Sequence, residues 1–335
     1  MKKYKLTSET TGCDGFILYR IEALMDFSDV KTGDKGGFVQ SENNLSQLGN
    51  AWVYGNAKVC GKAEVRGDAN VCGNAEVCGN AWVYGNAKVC GKAEVRGDAN
   101  VCGNAEVCGD AEVFGNAKVC GNASVYGNAK VFDYAEVYDN ARVCGNANVF
   151  CDAKVYGYAV VYFDAKVCGD AEVYNYAEVF ENAEVYDNAK VYGNAKVYEN
   201  AEVYDNAEVF DYAEVRGDAE VCGNAEVCGD AGVYGNAFVC DYVKVRGDAD
   251  VYGKAEVRGD AKVYKNSDYI VFKNWWSSGR YFTWTRSNKM WKVGCFYGNG
   301  KELIKKAYAD SEESGREYER VVKYVESILA DELNR

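Results

Sequence analysis

In 335 residues the chain has no histidine and no proline, and only three methionines. Without histidine there is no imidazole to serve as a base near neutral pH or as a metal ligand. Without proline no backbone donor is missing anywhere, so hydrogen-bonded ladders can run uninterrupted. No run of eighteen apolar residues exists, so no membrane-spanning helix is expected. The opening MKKYKLTSETTG carries lysines but no apolar stretch behind them, so no secretory signal is expected. The fifteen cysteines therefore read as free thiols of a reducing, cytoplasmic setting.

What is present is strongly biased toward Gly, Asn, Ala, Val and Tyr, which calls for a search for repeats before anything else. The formal charge is −13, from 38 basic and 51 acidic residues. Residues 51–266 hold 20 of the basic and 34 of the acidic ones, so all the net charge lies on that stretch. Such a surface repels phosphates and anionic membranes, and neither nucleic acid nor membrane is an expected partner.

The thirty residues Gly49–Cys78 recur letter for letter as Gly79–Cys108. Beneath that duplication lies a shorter rule. Valine occupies every sixth position from Val53 to Val263, and alanine stands two residues before it every time except at Val243. That is 36 hexads without one insertion or deletion. In an extended segment residues two apart face the same side, so each Ala and Val point inward and the Glu, Lys or Asn between them points to water. Gly-Asn, Gly-Asp, Asp-Asn or Asp-Tyr follows, and these tolerate positive φ at a tight corner. A strand and a corner every six residues close a triangular coil of 18. The expected fold is an all-β solenoid of about 12 such coils over residues 49–266, with a β cap at 1–48 and a small α+β module at 267–335. Duplicating five hexads keeps the core in phase but rotates one part of the surface by two faces, which scrambles any site built along one face.

Residues 18 apart stack on one face. Tyr138, Tyr156, Tyr174, Tyr192 and Phe210 form one expected ladder, and Phe114, Phe132 and Phe150 another. Cys72, Cys90 and Cys108 stack likewise, while pairs such as Cys72 and Cys78 sit on neighbouring sides pointing apart. The cysteines are accordingly read as small hydrophobes, and no metal or cofactor is predicted. Glu76, Glu94 and Glu112 share a column in which like charges repel.

The hexad pattern resembles that of left-handed parallel β-helix proteins, and the handedness comes from this resemblance. Leu18–Ile21, Asp26-Phe27, Gly36–Val39 and Asn44–Ser46, leading into the first coil, resemble the opening segment of YdcK-type hexapeptide-repeat proteins of bacteria and phages. A β-hairpin over Phe16–Leu24 and a Gly-rich turn would close that end. Ser278–Arg280 and Gly294–Gly298 resemble the tail module of phage and prophage repeat proteins. In that module Ser287-Asn288 reads as a turn between strands, and 301–309 and 312–332 read as helices. The second helix carries Tyr318, Val321, Val322, Val325, Ile328 and Leu329 on one apolar face.

The β-helix is best known from acyltransferases, which by resemblance use a histidine base and a loop thrown out from a coil. Neither is present, so a transferase is the alternative reading and no catalytic residue is named. An acidic mimic of DNA is a second alternative. The primary expectation is a non-catalytic rod, by resemblance a phage or prophage accessory, that binds a protein through its C-terminal module, with self-association through the rod faces left open. The candidate interaction residues are Trp275, Trp276, Tyr281, Trp284 and Trp291 with Arg280 and Arg286, since Trp, Tyr and Arg dominate binding hot spots. Alternation puts Phe282, Trp284 and Arg286 on one strand face and Tyr281, Thr283 and Thr285 on the other. The competing expectation is that these aromatics are the core of the cap.

Overall fold

The computed structural model describes residues 2–333, in two compact units, Met1–Glu199 and Asn200–Arg335. Each hexad forms one short strand, of two residues as in Lys58–Val59 except at Gly232–Gly235 and Asp250–Gly253, and strands three hexads apart pair in parallel. The first unit holds 25 of these strands and the second 11. The register is 18 throughout. Lys88 faces Glu106 and Val89 faces Val107 in the first unit, and Glu220 faces Phe238 in the second. The chain is a left-handed parallel β-helix with 18 residues per coil. Its hexad alanines and valines are buried in both units. Each valine so enclosed contributes roughly 1.5–3 kcal/mol.

Every coil donates its strand N–H groups to the carbonyls of the next, as Lys58 N to Ala75 O at 2.9 Å and Cys60 N to Val77 O at 3.0 Å. This direction leaves the first coil with unclaimed carbonyls and the last with unclaimed amides, and a buried orphan of either kind is costly.

In the first unit, donors supply the deficit. Strand β1 (Tyr4–Cys13) pairs antiparallel with β2 (Phe16–Ala23), and β2 with β3 (Lys35–Val39). Strand β3 then lies parallel on the first coil, Val39 against Val59, and Leu45 bridges to Val65. Phe38 N reaches Ala57 O at 2.8 Å, and Asn44 Nδ2 reaches Ala63 O at 2.9 Å. The buried Lys3 donates to Ala51 O at 2.8 Å, and desolvation holds its pKa down to about 8. Gly36 and Gly37 permit the close approach, for a Cβ on Gly37 would meet Ala57 O at 2.5 Å. The lead-in thus adds a partial coil to those counted from the hexads. The reading of Phe16–Leu24 as a hairpin is corrected: Phe16–Ala23 is one strand, and the turn is Asp14-Gly15 at φ +48° and +80°. No residue between Phe16 and Leu24 has positive φ, and the stretch from Phe16 to Ala23 pairs along its length with β1.

In the second unit, acceptors supply the deficit. Asn266 Oδ1 takes Asp250 N at 2.7 Å, Thr283 Oγ1 takes Glu256 N at 2.9 Å, and Ser287 Oγ takes Lys262 N at 2.6 Å. The cap carrying them is a four-stranded antiparallel sheet from Tyr269 to Asn299. Helices α1 (Gly300–Asp310) and α2 (Glu312–Leu333) complete it. A capping box starts α1, with Asn299 and Glu302 exchanging bonds of 3.0 Å.

The outer columns follow the 18-residue rule. Phe114, Phe132 and Phe150 stack at 4.9 Å with planes within 4°. Tyr138, Tyr156, Tyr174 and Tyr192 do the same at 4.8–4.9 Å. The glutamate column is not left to repel. Lys58 lies 3.0 Å from Glu76, Lys130 lies 3.0 Å from Glu112, and Arg96 pairs with Glu94. One reading of the thiols is also corrected. Cys222 and Cys240, one coil apart in the same column, are joined by a disulfide, their Cα atoms 4.6 Å apart and within disulfide reach. Thirteen cysteines are free, and Cys102 and Cys120 bring their Sγ atoms to 2.7 Å. No helix among the described residues is long and apolar enough to cross a membrane.

Candidate functional site

The seven candidate residues divide by burial. Trp284 and Trp291 are 2% exposed and sit in the cap core with Phe282, Leu303, Tyr318, Val322 and Val325. Trp276 packs on that core, edge-on to Tyr318 at 4.9 Å between centroids. Arg286 is occupied, with both terminal nitrogens on the Glu332 carboxylate and Nε donating to Ser267 O at 3.2 Å. Trp275, Arg280 and Tyr281 face solvent, Trp275 at 74%. Alternation along the strand holds, but its second face is not free. Thr283 and Thr285 are buried, and Thr283 is the hydroxyl that receives Glu256 N.

Arg280 and Tyr281 line an open cleft of about 770 Å³ against the last coils of the second unit. The coils contribute Glu220, Phe238, Lys254, Glu256 and Arg258. Arg258 lies over the Phe238 ring at 4.4 Å, and Lys254 and Lys273 flank the Tyr281 ring at 5.4 and 5.7 Å. Lys292 holds Glu256 at 3.1 Å. The Arg280 guanidinium makes no ion pair among the described residues, and it also reaches a second cavity, of about 230 Å³, with Phe296 and Tyr318. The cleft sets Lys254, Arg258 and Arg280 among the carboxylates Asp218, Glu220 and Glu256, and Arg280 beside the exposed Tyr281 ring suits a carboxylate with an apolar neighbour.

The coil residues of this cleft escaped the sequence reading, which placed its candidate interaction residues beyond the last hexad. A signal was available, because Glu220, Phe238 and Glu256 are spaced by 18 and therefore share a column. What no spacing could supply is which column the cap strand lies beside.

No family model matches the sequence. Over 62 residues the chain is 39% identical to a protein described as "Uncharacterized acetyltransferase YdcK" from Escherichia coli (strain K12). The match takes in 16% of this chain and 19% of that protein, so the chain spans about a fifth of the relative's length. The unbroken coils make the chain a repeat β-helix protein, and the likeness is confined to those 62 residues.

Proposed function

We propose that this β-helix is a non-catalytic scaffold that captures a protein partner at the cleft beside its C-terminal cap. The observation that carries the reading is the division of labour among the hot-spot residues. Trp276, Trp284, Trp291 and Arg286 hold the cap together, while Trp275, Arg280 and Tyr281 stand exposed outside the cap core. The partner would set a carboxylate against Arg280 and an apolar side chain against Tyr281. The resemblance of Ser278–Arg280 and Gly294–Gly298 to phage tail modules extends the proposal to a phage or prophage accessory role.

An acyltransferase is the second reading, favoured by the name of the matched relative. Against it stand the absence of histidine and the absence of any loop inserted between hexads. One pair of measurements separates the two. Full-length protein and its Arg280→Glu/Tyr281→Ala variant are used as bait, with melting temperature recorded for each, and acetyl-CoA is titrated by calorimetry. A partner retained by the first and lost by the equally stable variant, with no heat from acetyl-CoA, supports capture. Saturable acetyl-CoA binding, or a partner held equally by both proteins, overturns it.

A further inference from the structure

The hairpin that closes the first unit brings thiols together that are far apart in sequence. Cys13 ends β1, Asp14 takes the first turn position, and Cys60 and Cys78 follow one another in a single column one coil apart. The Sγ atoms of Cys13 and Cys60 are 3.6 Å apart, and with an Asp14 carboxylate oxygen they lie within 4.8 Å of one another. Cys78 packs in the same buried cluster, but its sulfur is not one of these three converging ligand atoms. All three cysteines are buried, with Leu18 and Phe38 on the apolar side, while Asp14 is exposed and leaves an approach from solvent.

Four ligands about a zinc ion, with Zn–S of about 2.3 Å, set sulfurs about 3.8 Å apart, close to the spacing of Cys13 and Cys60. We propose that Cys13, Cys60 and Asp14 supply three ligands of a tetrahedral site for a thiophilic divalent cation of the zinc class, its fourth position open. The thiols lose their protons as the ion binds, so two thiolates, a carboxylate and the ion leave a net charge of about −1. Lys58 stands beside that charge, held at 3.0 Å by Glu76, whose other oxygen lies 3.7 Å from the Cys13 sulfur. The site would pin the hairpin to the first coils, giving this end of the helix a clasp that the repeat cannot provide.

The duplication supplies an internal control. Cys90 and Cys108 occupy the same places in the second copy as Cys60 and Cys78 in the first, also one coil apart, but they lie in a different column. Among the described residues Cys13 and Asp14 converge with Cys60 alone. The test uses full-length protein, reduced and stripped of metal, titrated with Co²⁺ and followed by the ligand-field and thiolate charge-transfer absorption of a tetrahedral site. One equivalent should bind and be displaced by Zn²⁺. Cys13→Ser and Cys60→Ser should abolish the spectrum, and Asp14→Asn, which keeps a residue at ease with positive φ, should weaken binding on the order of tenfold or more. Cys90→Ser and Cys108→Ser should leave it unchanged, and circular dichroism should show every variant folded. The proposal is overturned by a reduced wild type that binds no stoichiometric Co²⁺. It is equally overturned by binding that survives Cys13→Ser, by binding that is lost with Cys90→Ser, or by a Cys13–Cys60 disulfide in protein isolated under reductant.

Discussion

Gly91 turns its corner at φ +74°, and a Cβ there would come within 2.8 Å of the Gly109 carbonyl oxygen. Yet elsewhere the same corner position holds Asp139 at φ +59°, Asp205 at +58° and Asp241 at +71°. The left-handed conformation costs a residue with a Cβ about 1–2 kcal/mol. Aspartate recovers part of it through its side chain, which accepts the corner amide one coil on. Asp139 takes Gly157 N at 3.3 Å, Asp205 takes Gly223 N at 3.0 Å and Asp241 takes Gly259 N at 2.9 Å. The second corner residue adds its own ladder, with Asn86 donating to Asn104 at 3.0 Å and Asn104 to Asn122 at 2.9 Å. Gly91→Ala should therefore destabilise the protein by about 1–2 kcal/mol or more, since alanine has strain and no acceptor. Gly91→Asp should be milder by about 1 kcal/mol, because a carboxylate can reach Gly109 N. Urea denaturation of the two variants gives the difference, and equal losses would remove the role assigned to the carboxylate.

At the scale of elements, the coil imposes the chemistry of its caps. A ladder whose amides all point one way needs donors before its first coil and acceptors after its last. The first unit supplies Lys3 and Asn44, and the second supplies Asn266, Thr283 and Ser287. Thr283→Val preserves shape but leaves the Glu256 amide without its partner, and should cost about 1–3 kcal/mol in chemical denaturation. Thr283→Ser should restore most of it; a serine variant as unstable as the valine one would mean that the hydroxyl alone does not account for the loss. The two arginines of the cap differ in the same way. Arg286→Glu places a carboxylate against Glu332 and Asp268, and should lower the melting temperature by loosening α2 from the sheet. Arg280→Glu, with no ion pair to lose among the described residues, should leave melting where it is.

Across the whole molecule, the shifted groups that titrate above neutrality are mainly tyrosines and cysteines, and there is no histidine to titrate between about pH 5 and 8. Lys3, held down to about 8, works against them with the opposite sign. Burial pushes the thiols of Cys108 and Cys168 up to about 11, and that of Cys120 up to about 12, from an ordinary 9.0. Burial likewise raises Tyr162 and Tyr269 to about 12 from 10.0, and a hydrogen bond to Cys102 raises Tyr84 to about 12. A group whose folded pKa lies above its unfolded value stabilises fully below the unfolded value. That stability is lost as pH climbs through the folded value, because the unfolded chain gives up its proton first. Melting temperature should hold level through neutrality and fall from about pH 9 toward pH 12. A melting temperature that rises across that interval would contradict the buried, protonated columns.

By itself the sequence determined the coil. Inward Ala and Val, an outward polar residue and a corner repeat without a gap, and that phase is local, so the 18-residue register, the stacked rings and the buried core follow from counting. The helices at the C-terminus were legible for the same reason, through the spacing of Tyr318, Val322 and Val325. Tertiary structure alone decided what covers the columns. Trp52 and Trp82 are the same residue in two identical copies, yet Trp52 is buried against Tyr4 and Phe27 while Trp82 is 44% exposed beside Arg66. Cys60 and Cys90 are also identical by sequence, and only Cys60 meets Cys13, 47 residues away in the chain. Carboxylates of Asp268 and of Glu332 on α2 reach Arg286, and none reaches Arg280 among the described residues. A periodic pattern carries information over a few residues, whereas a cap that folds back over one copy and not the other acts through contacts that no period encodes.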